Sequence, residues 1–378
     1  MKNLILGREE IIIGDGSIKY LSRFKDLKVF IVTGGSSMFN NGAIYEIQSI
    51  LEDGGCSYYV HSGIKSDPTM EDVLRGLEKM KEFHPDVLVA VGGGSPMDAA
   101  KVMALLFEYP DIDLKQISSI ELPKKREKLK MIFIPSTSGT ASEVTRAAVL
   151  TFKEKNRKIG LKTDAFIPDV AILDGNLTLS MPKHIVAETG MDALTHAVEC
   201  YINNDLDPFT EVISKGAVEG IFKNLTESYK VGSKESRENM HYYQCMAGLA
   251  FVNVGLGMAH GISHAIGAAF NLSHGLINAI ALPYVLKFNS RDKIVNDKLN
   301  KLAQAIMKKD FIKEVVNLNR ELNIPKSFKE AGIIEEDFNS KLQVLINNSM
   351  EGSTKANPIK PTKEEMNQIL NNIFNGQL

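Results

Sequence analysis

Two short stretches of this 378-residue chain concentrate side chains able to grip a divalent cation. In Thr189-Gly190-Met191-Asp192-Ala193-Leu194-Thr195-His196-Ala197, Asp192 and His196 are four residues apart, so on a helix both project from one face. Gly257-Met258-Ala259-His260-Gly261-Ile262-Ser263-His264-Ala265 repeats the spacing with two imidazoles, and Ser273-His274-Gly275 follows at a helix end. Oxygen and imidazole donors without thiolate suit Fe(II), Zn(II) or a similar ion and leave a position open for a substrate oxygen. Singly, an Asp-x-x-x-His pair is more often a surface ion pair or a cap, and His260 and His264 could be core histidines bonded to carbonyls. Their combination, in segments rich in glycine and alanine that let helices close around an ion, favours a metal. Spacing does not decide which of His260 and His264 coordinates, since both occupy the same helical face.

A second constellation suits a phosphate. Val91-Gly92-Gly93-Gly94-Ser95-Pro96 runs from a strand through glycines into a helix with Pro96 in its first turn. Residues without side chains let a pyrophosphate approach the N–H groups at the positive end of that helix. A glycine triplet alone is as readily a tight turn, and this one does not match Gly-x-Gly-x-x-Gly. Pro135-Ser136-Thr137-Ser138-Gly139-Thr140-Ala141-Ser142-Glu143-Val144-Thr145 brings hydroxyls and a glycine after another buried strand, where they can bond phosphates or merely cap a helix.

The elements that must position these groups follow from hydrophobic periodicity. Lys28 to Val32, Asp86 to Val91, Met131 to Ile134 and Val170 to Leu173 read as buried strands, and Thr69 to Phe83 has helical periodicity. The alternation is that of parallel βαβ units. From about Met181 onward β-branched runs become rare and helical patterns take over. The expected plan is an α/β dinucleotide-binding domain with a mostly parallel sheet over residues 1–180, followed by an all-α metal-binding and catalytic domain over 181–378.

Composition agrees with this plan. The length suits two domains, and 44% apolar with 24% charged residues is ordinary globular usage. A formal charge of −2 offers no basic face for nucleic acid. No stretch reads as a signal peptide or a membrane span, so no membrane partner is expected. Cys56, Cys200 and Cys245 are scattered without Cys-x-x-Cys spacing, which fits a reducing cytoplasm.

Gly190-Met191-Asp192-Ala193-Leu194-Thr195-His196-Ala197 and Gly257-Met258-Ala259-His260 through His274-Gly275 closely resemble the signatures of the iron-dependent (group III) alcohol dehydrogenases. The resemblance spans nearly the whole chain and implies a dehydroquinate synthase-like fold. It implies Asp192, His196, His260 and His274 as metal ligands, with His264 beside nicotinamide and substrate as the catalytic proton relay. Gly-Gly-Gly-Ser-x-x-Asp resembles the family's pyrophosphate loop, giving Gly92, Gly93, Gly94 and Ser95. The second stretch gives Ser136, Thr137, Ser138, Thr140 and Thr145 as cofactor contacts.

Lys158 aligns with a family lysine near the cofactor, although it also reads as a solvated charge, and Leu177 and Thr178 fall on the same rim. Phe251 resembles a position lining the substrate pocket, though an aromatic there reads equally as core. Ala141 stands where glycine is frequent, Asp67 at a cofactor position often held by asparagine, and Gly175 where proline is common. Thr33-Gly34-Gly35-Ser36-Ser37 has no carboxylate where many NAD-using relatives carry an aspartate. Glycine amides and serine hydroxyls at Gly34, Gly35, Ser36 and Ser37 can instead donate to a 2′-phosphate, so NADP(H) is expected over NAD(H).

The implied reaction is hydride transfer between NADP(H) and a small alcohol or aldehyde. The ion, Fe(II) first and Zn(II) next, polarises the substrate oxygen, and the family suggests a homo-oligomer of at least two copies. Two rivals are a zinc carbon–oxygen lyase of the dehydroquinate synthase type that uses bound NAD transiently, and a metal-dependent phosphate-ester hydrolase.

Overall fold

The computed structural model describes residues 3–114, 116–152 and 157–378. The chain divides into two compact units, Met1–Met181 and Pro182–Leu378.

In the first unit the elements run β1 (Glu10–Ile13), β2 (Lys28–Thr33), α1 (Ser37–Asn40), α2 (Ala43–Asp53), β3 (Ser57–His61), α3 (Met70–Phe83), β4 (Val87–Gly92) and α4 (Gly94–Glu108). They continue with β5 (Lys130–Pro135), β6 (Ala147–Phe152), β7 (Arg157–Lys162) and β8 (Val170–Leu173). Six strands form one sheet in the order β1-β8-β5-β4-β2-β3, every pairing parallel. The remaining pair, β6 and β7, is a separate antiparallel ribbon.

The period of two along each strand explains why its apolar run is continuous. Phe30, Val32, Leu88, Ala90, Met131 and Phe133 face one core with α3 and α4, whereas Val29, Ile31, Val87, Val89, Ile132 and Ile134 face a second core with α2. The chain steps outward from β2 to β3 and then returns to β4 on the other side of β2. That reversal is a topological switch point, and the crevice beyond the carboxyl ends of β2 and β4 is where such sheets take ligands. The glycine segments 34–35 and 92–94 lie at those two strand ends.

The second unit is helical: α5 (Lys183–Ile202), α6 (Pro208–Lys230), α7 (Lys234–Val254), α8 (Met258–Phe270), α9 (His274–Asn289), α10 (Lys293–Ala305), α11 (Phe311–Glu321), α12 (Glu335–Ser349) and α13 (Lys363–Asn375). Helix α5 is buried from Gly190 to Ile202 and packs against α6, α7 and α9. Small residues permit these approaches, for a Cβ at Gly190 would lie 2.2 Å from Leu225 Cδ1 and one at Gly275 would lie 2.3 Å from the Glu188 carbonyl oxygen. Helix starts are fixed locally: Asp207 caps α6 ahead of Pro208, Ser233 caps α7, and Thr362 with Glu365 forms a capping box on α13. Among the described residues no single helix is long and apolar enough to cross a membrane.

Candidate active site

Three of the expected ligands come together. Asp192 lies in the buried middle of α5, His260 in the first turn of α8, and His274 is the first residue of α9. Asp192 Oδ1 is 3.8 Å from His260 Nε2 and 3.7 Å from His274 Nε2. The donor atoms of all three lie within 4.8 Å of one another. Ligands about 2.0–2.2 Å from a shared ion have separations of this order.

The donor chemistry fits a cation, because neighbouring groups fix which nitrogen of each ring carries its lone pair inward. Glu199 Oε2 accepts from His260 Nδ1 at 2.7 Å, while the same carboxylate accepts from the backbone N–H of Gly257 at 2.8 Å and of Ala259 at 2.6 Å. Ser263 Oγ donates to the His274 carbonyl at 3.0 Å and therefore accepts from His274 Nδ1 at 2.8 Å. In both rings Nδ1 carries the proton and the Nε2 lone pair faces inward, with a carboxylate behind His260 and a hydroxyl behind His274, outer partners of the kind that orient metal ligands.

Electrostatics act in the same direction. Burial presses the Asp192 carboxyl upward, but His196, His274 and His260 beside it and the Asn278 amide outweigh burial and hold it below the ordinary carboxylate value. Burial drives His260 well below the usual histidine value, and His196 and His274 add to the effect. An anionic carboxylate beside a neutral imidazole is the protonation state that a metal requires. Burial pushes Glu199 up to about 7, against the pull of the Gly257 and Ala259 N–H groups.

His196 is not part of the close trio. Its ring stacks between Phe251 (centroids 4.5 Å apart) and His260 (4.6 Å), so it adjoins the group through ring faces. His264 is exposed, and its ring stacks on His274 at 5.2 Å. Phe251 is half-buried and packs against Cys200, Ala250 and Val254. Glu199, Ser263 and Asn278 were missed by sequence reasoning. Each repeats a helical spacing already visible: Glu199 follows His196 by three, Ser263 follows His260 by three, and Asn278 follows His274 by four.

In the first unit, the N-terminus of α4 has no side-chain cap. Gly92 adopts a φ of +143°, and Cβ atoms at Gly92 and Gly94 would lie 2.8 Å from Pro96 Cγ and 2.9 Å from Thr140 Cγ2. Gly94 therefore also lets the two expected cofactor loops pack on each other, while Gly92 makes room for Pro96 of its own loop. Behind them, Asp98 accepts from Ser142 Oγ at 2.7 Å and from Val149 N–H at 2.9 Å, while fully buried Lys101 donates to the Ala147 carbonyl at 2.7 Å and to Thr145 Oγ1 at 3.3 Å.

Gly93, Gly94, Ser95 and Thr137 are half-buried and Thr140 is exposed, whereas Ser136, Ser138 and Thr145 are buried. Gly35, Ser36 and Ser37 are exposed at the end of β2, next to half-buried Gly34. Lys158 Nζ and Asp67 Oδ1 pair with each other at 2.7 Å. Leu177 and Thr178 are buried in a 3-10 turn, and the Thr178 hydroxyl donates to the Gly175 carbonyl at 2.7 Å.

Known proteins share both units. A family model of the iron-containing alcohol dehydrogenases matches residues 8–175, and one described as the C-terminal part of the Fe-containing alcohol dehydrogenase family matches residues 186–374. The chain is 39% identical to an NADPH-dependent butanol dehydrogenase of Clostridium saccharobutylicum, covering 97% of each chain. It is 34% identical to an alcohol dehydrogenase of Thermococcus barophilus, covering 97% of this chain and 98% of that one. Longer aldehyde-alcohol dehydrogenases also match, and this chain spans 42% of the one from Escherichia coli. The solved structure of an iron-containing alcohol dehydrogenase from Thermococcus thioreducens superposes with a TM-score of 0.91 at 32% identity over 100% of both chains. With end-to-end relatives and family models over nearly its whole length, the chain belongs to the iron-containing alcohol dehydrogenase family.

Proposed function

We propose that this chain transfers a hydride between NADP(H) and a small alcohol or aldehyde, at an ion held by Asp192, His196, His260 and His274. The observation that carries the metal reading is the convergence of Asp192 Oδ1 and the Nε2 atoms of His260 and His274, with both imidazole tautomers fixed from behind. Fe(II) is the proposed ion, and Zn(II) is the alternative that the same donors accept. When bound, such an ion supplies Lewis acidity to the substrate oxygen.

The protein groups do the rest. Glu199 and Ser263 keep His260 and His274 in the ligating tautomer, and Phe251 forms an apolar wall beside His196. His264, exposed and stacked on His274, passes the alcohol proton to solvent. The N-terminus of α4 at Gly92 to Ser95 receives the pyrophosphate, and the hydroxyl-bearing stretch from Ser136 to Thr145 serves the nicotinamide side. Asp67, Lys158, Leu177 and Thr178 are proposed to complete the cofactor rim. Family membership favours this dehydrogenase reading over the lyase and the hydrolase.

The preference for NADP(H) is supported by the Gly34-Gly35-Ser36-Ser37 turn, exposed from Gly35 onward, which carries no carboxylate to repel a 2′-phosphate, and by an NADPH-dependent relative. Cys56, Cys200 and Cys245, buried and in no disulfide, support a cytoplasmic setting, and the family resemblance supports a homo-oligomer of at least two copies.

Elemental analysis of anaerobically purified protein, combined with kcat/KM for NADPH and NADH over short alcohols and aldehydes, tests these assignments. The expected result is bound iron or zinc and a higher kcat/KM with NADPH. A clear NADH preference overturns the coenzyme assignment, and full activity in protein stripped of metal overturns the metal assignment.

A further inference from the structure

Asn278 is neither a proposed ligand nor the relay, yet the three donor atoms meet on it. One turn beyond His274 on α9 and fully buried, it places its amide nitrogen 2.7 Å from Asp192 Oδ1, 3.2 Å from His260 Nε2 and 3.1 Å from His274 Nε2. Its amide oxygen is buried with no hydrogen-bond partner. The side chain is thus oriented by its nitrogen alone. Since Glu199 and Ser263 occupy both Nδ1 protons, every atom facing the amide nitrogen is a lone-pair donor. A carboxylate oxygen and two such nitrogens held 3.7–3.8 Å from it repel one another unless a positive group lies among them. The two Asn278 N–H groups supply partial positive charge there, shared among the three acceptors.

We propose that Asn278 is a positioning residue of the metal centre: its amide orients the Asp192 carboxylate and gathers the three donor atoms at ligand spacing. This rests on the metal reading above and goes further, because it assigns the spacing of the ligands to a side chain that is not itself a ligand. The shortest of the three contacts, to Asp192, is also the one that can persist beside an ion, since a carboxylate oxygen accepts from more than one partner.

The test compares wild type with Asn278→Leu, which keeps nearly the same volume and removes the amide. Metal-free protein is titrated with Co2+ against a chromophoric chelator, and the visible Co2+ bands are recorded. The expected result is an affinity about 10–100-fold weaker, the range for lost outer-shell partners, with shifted bands and unchanged far-UV circular dichroism. Unchanged affinity overturns the proposal by making the amide a bystander. Tighter binding overturns it too, because the amide would then compete with the ion for the same lone pairs. A wild-type chain that takes up no Co2+ overturns the metal reading and this proposal with it, before any substitution is made. Asn278→Ala, which only removes atoms, repeats the titration should the leucine variant fail to fold.

Discussion

Replacing Gly275 with alanine probes how the fold closes the proposed metal centre. Gly275 directly follows His274 in the first turn of α9, where that helix meets the backbone of α5. An added Cβ would lie 2.3 Å from the Glu188 carbonyl oxygen, 2.7 Å from its carbon and 3.4 Å from Asp192 Cβ. Carbon–oxygen contacts settle at about 3.3 Å or more, so the two backbones must part by about 1 Å. No flexible side-chain end is available to yield instead. The helix carrying His274 would therefore move away from the helix carrying Asp192, whereas metal–ligand distances tolerate only about 0.2 Å.

Overpacking of this kind costs about 1–3 kcal/mol. At about 2–4 °C per kcal/mol for a unit of this size, the melting temperature should fall by about 2–12 °C. Co2+ affinity, measured by chelator competition, should fall by at least about tenfold, since mere outer-shell losses already reach that. Gly160→Ala is the control, because a Cβ there meets nothing within 4 Å. A Gly275→Ala protein that melts and binds Co2+ like the wild type would refute the idea that this close backbone approach is needed for the helices of Asp192 and His274 to meet.

His264→Ala should lower turnover by about 100-fold or more while elemental analysis finds the metal content intact; loss of the metal would mean that a ligand has been mistaken for a relay. Glu199→Gln turns one acceptor oxygen into an amide that opposes the N–H groups of Gly257, Ala259 or His260, and Co2+ titration should show affinity about 10–100-fold weaker. Burial lowers the Lys101 pKa to about 8 from an ordinary 10.5, so above pH 8 the unfolded chain holds more protons than the folded one. This group's contribution to stability therefore rises by about 3 kcal/mol between pH 8 and 10.5 and is lost as pH falls through 8. Denaturant unfolding of Lys101→Met across that window should lack the rise.

The buried strands were legible because β2, β4, β5 and β8 are covered on both faces, which leaves uninterrupted apolar runs in the sequence. The antiparallel ribbon was not, since β7 is Arg157-Lys158-Ile159-Gly160-Leu161-Lys162, whose charges and glycine resemble a loop. Asp192, His274 and the pair His260 and His264 stood out by type and spacing, and the family resemblance alone chose His260 over His264 as a ligand. Glu199, Asn278 and Lys101 did not stand out, because a carboxylate, an amide or an ammonium on a helix reads as solvated until tertiary packing buries it against specific partners. The ring stack of Phe251, His196 and His260 was equally hidden, since it joins α5, α7 and α8.

The glycines at the two strand ends differ in how much change they tolerate. Side chains at Gly92 and Gly94 would collide with Pro96 and Thr140, whereas one at Gly35 would meet no heavy atom within 4 Å. The proposed pyrophosphate loop is thus fixed by its own packing, while a side chain at Gly35 has room. On the proposed assignment, an aspartate introduced at Gly35, by selection or by an engineer, would retune coenzyme choice without disturbing the packed loop at Gly92 to Gly94.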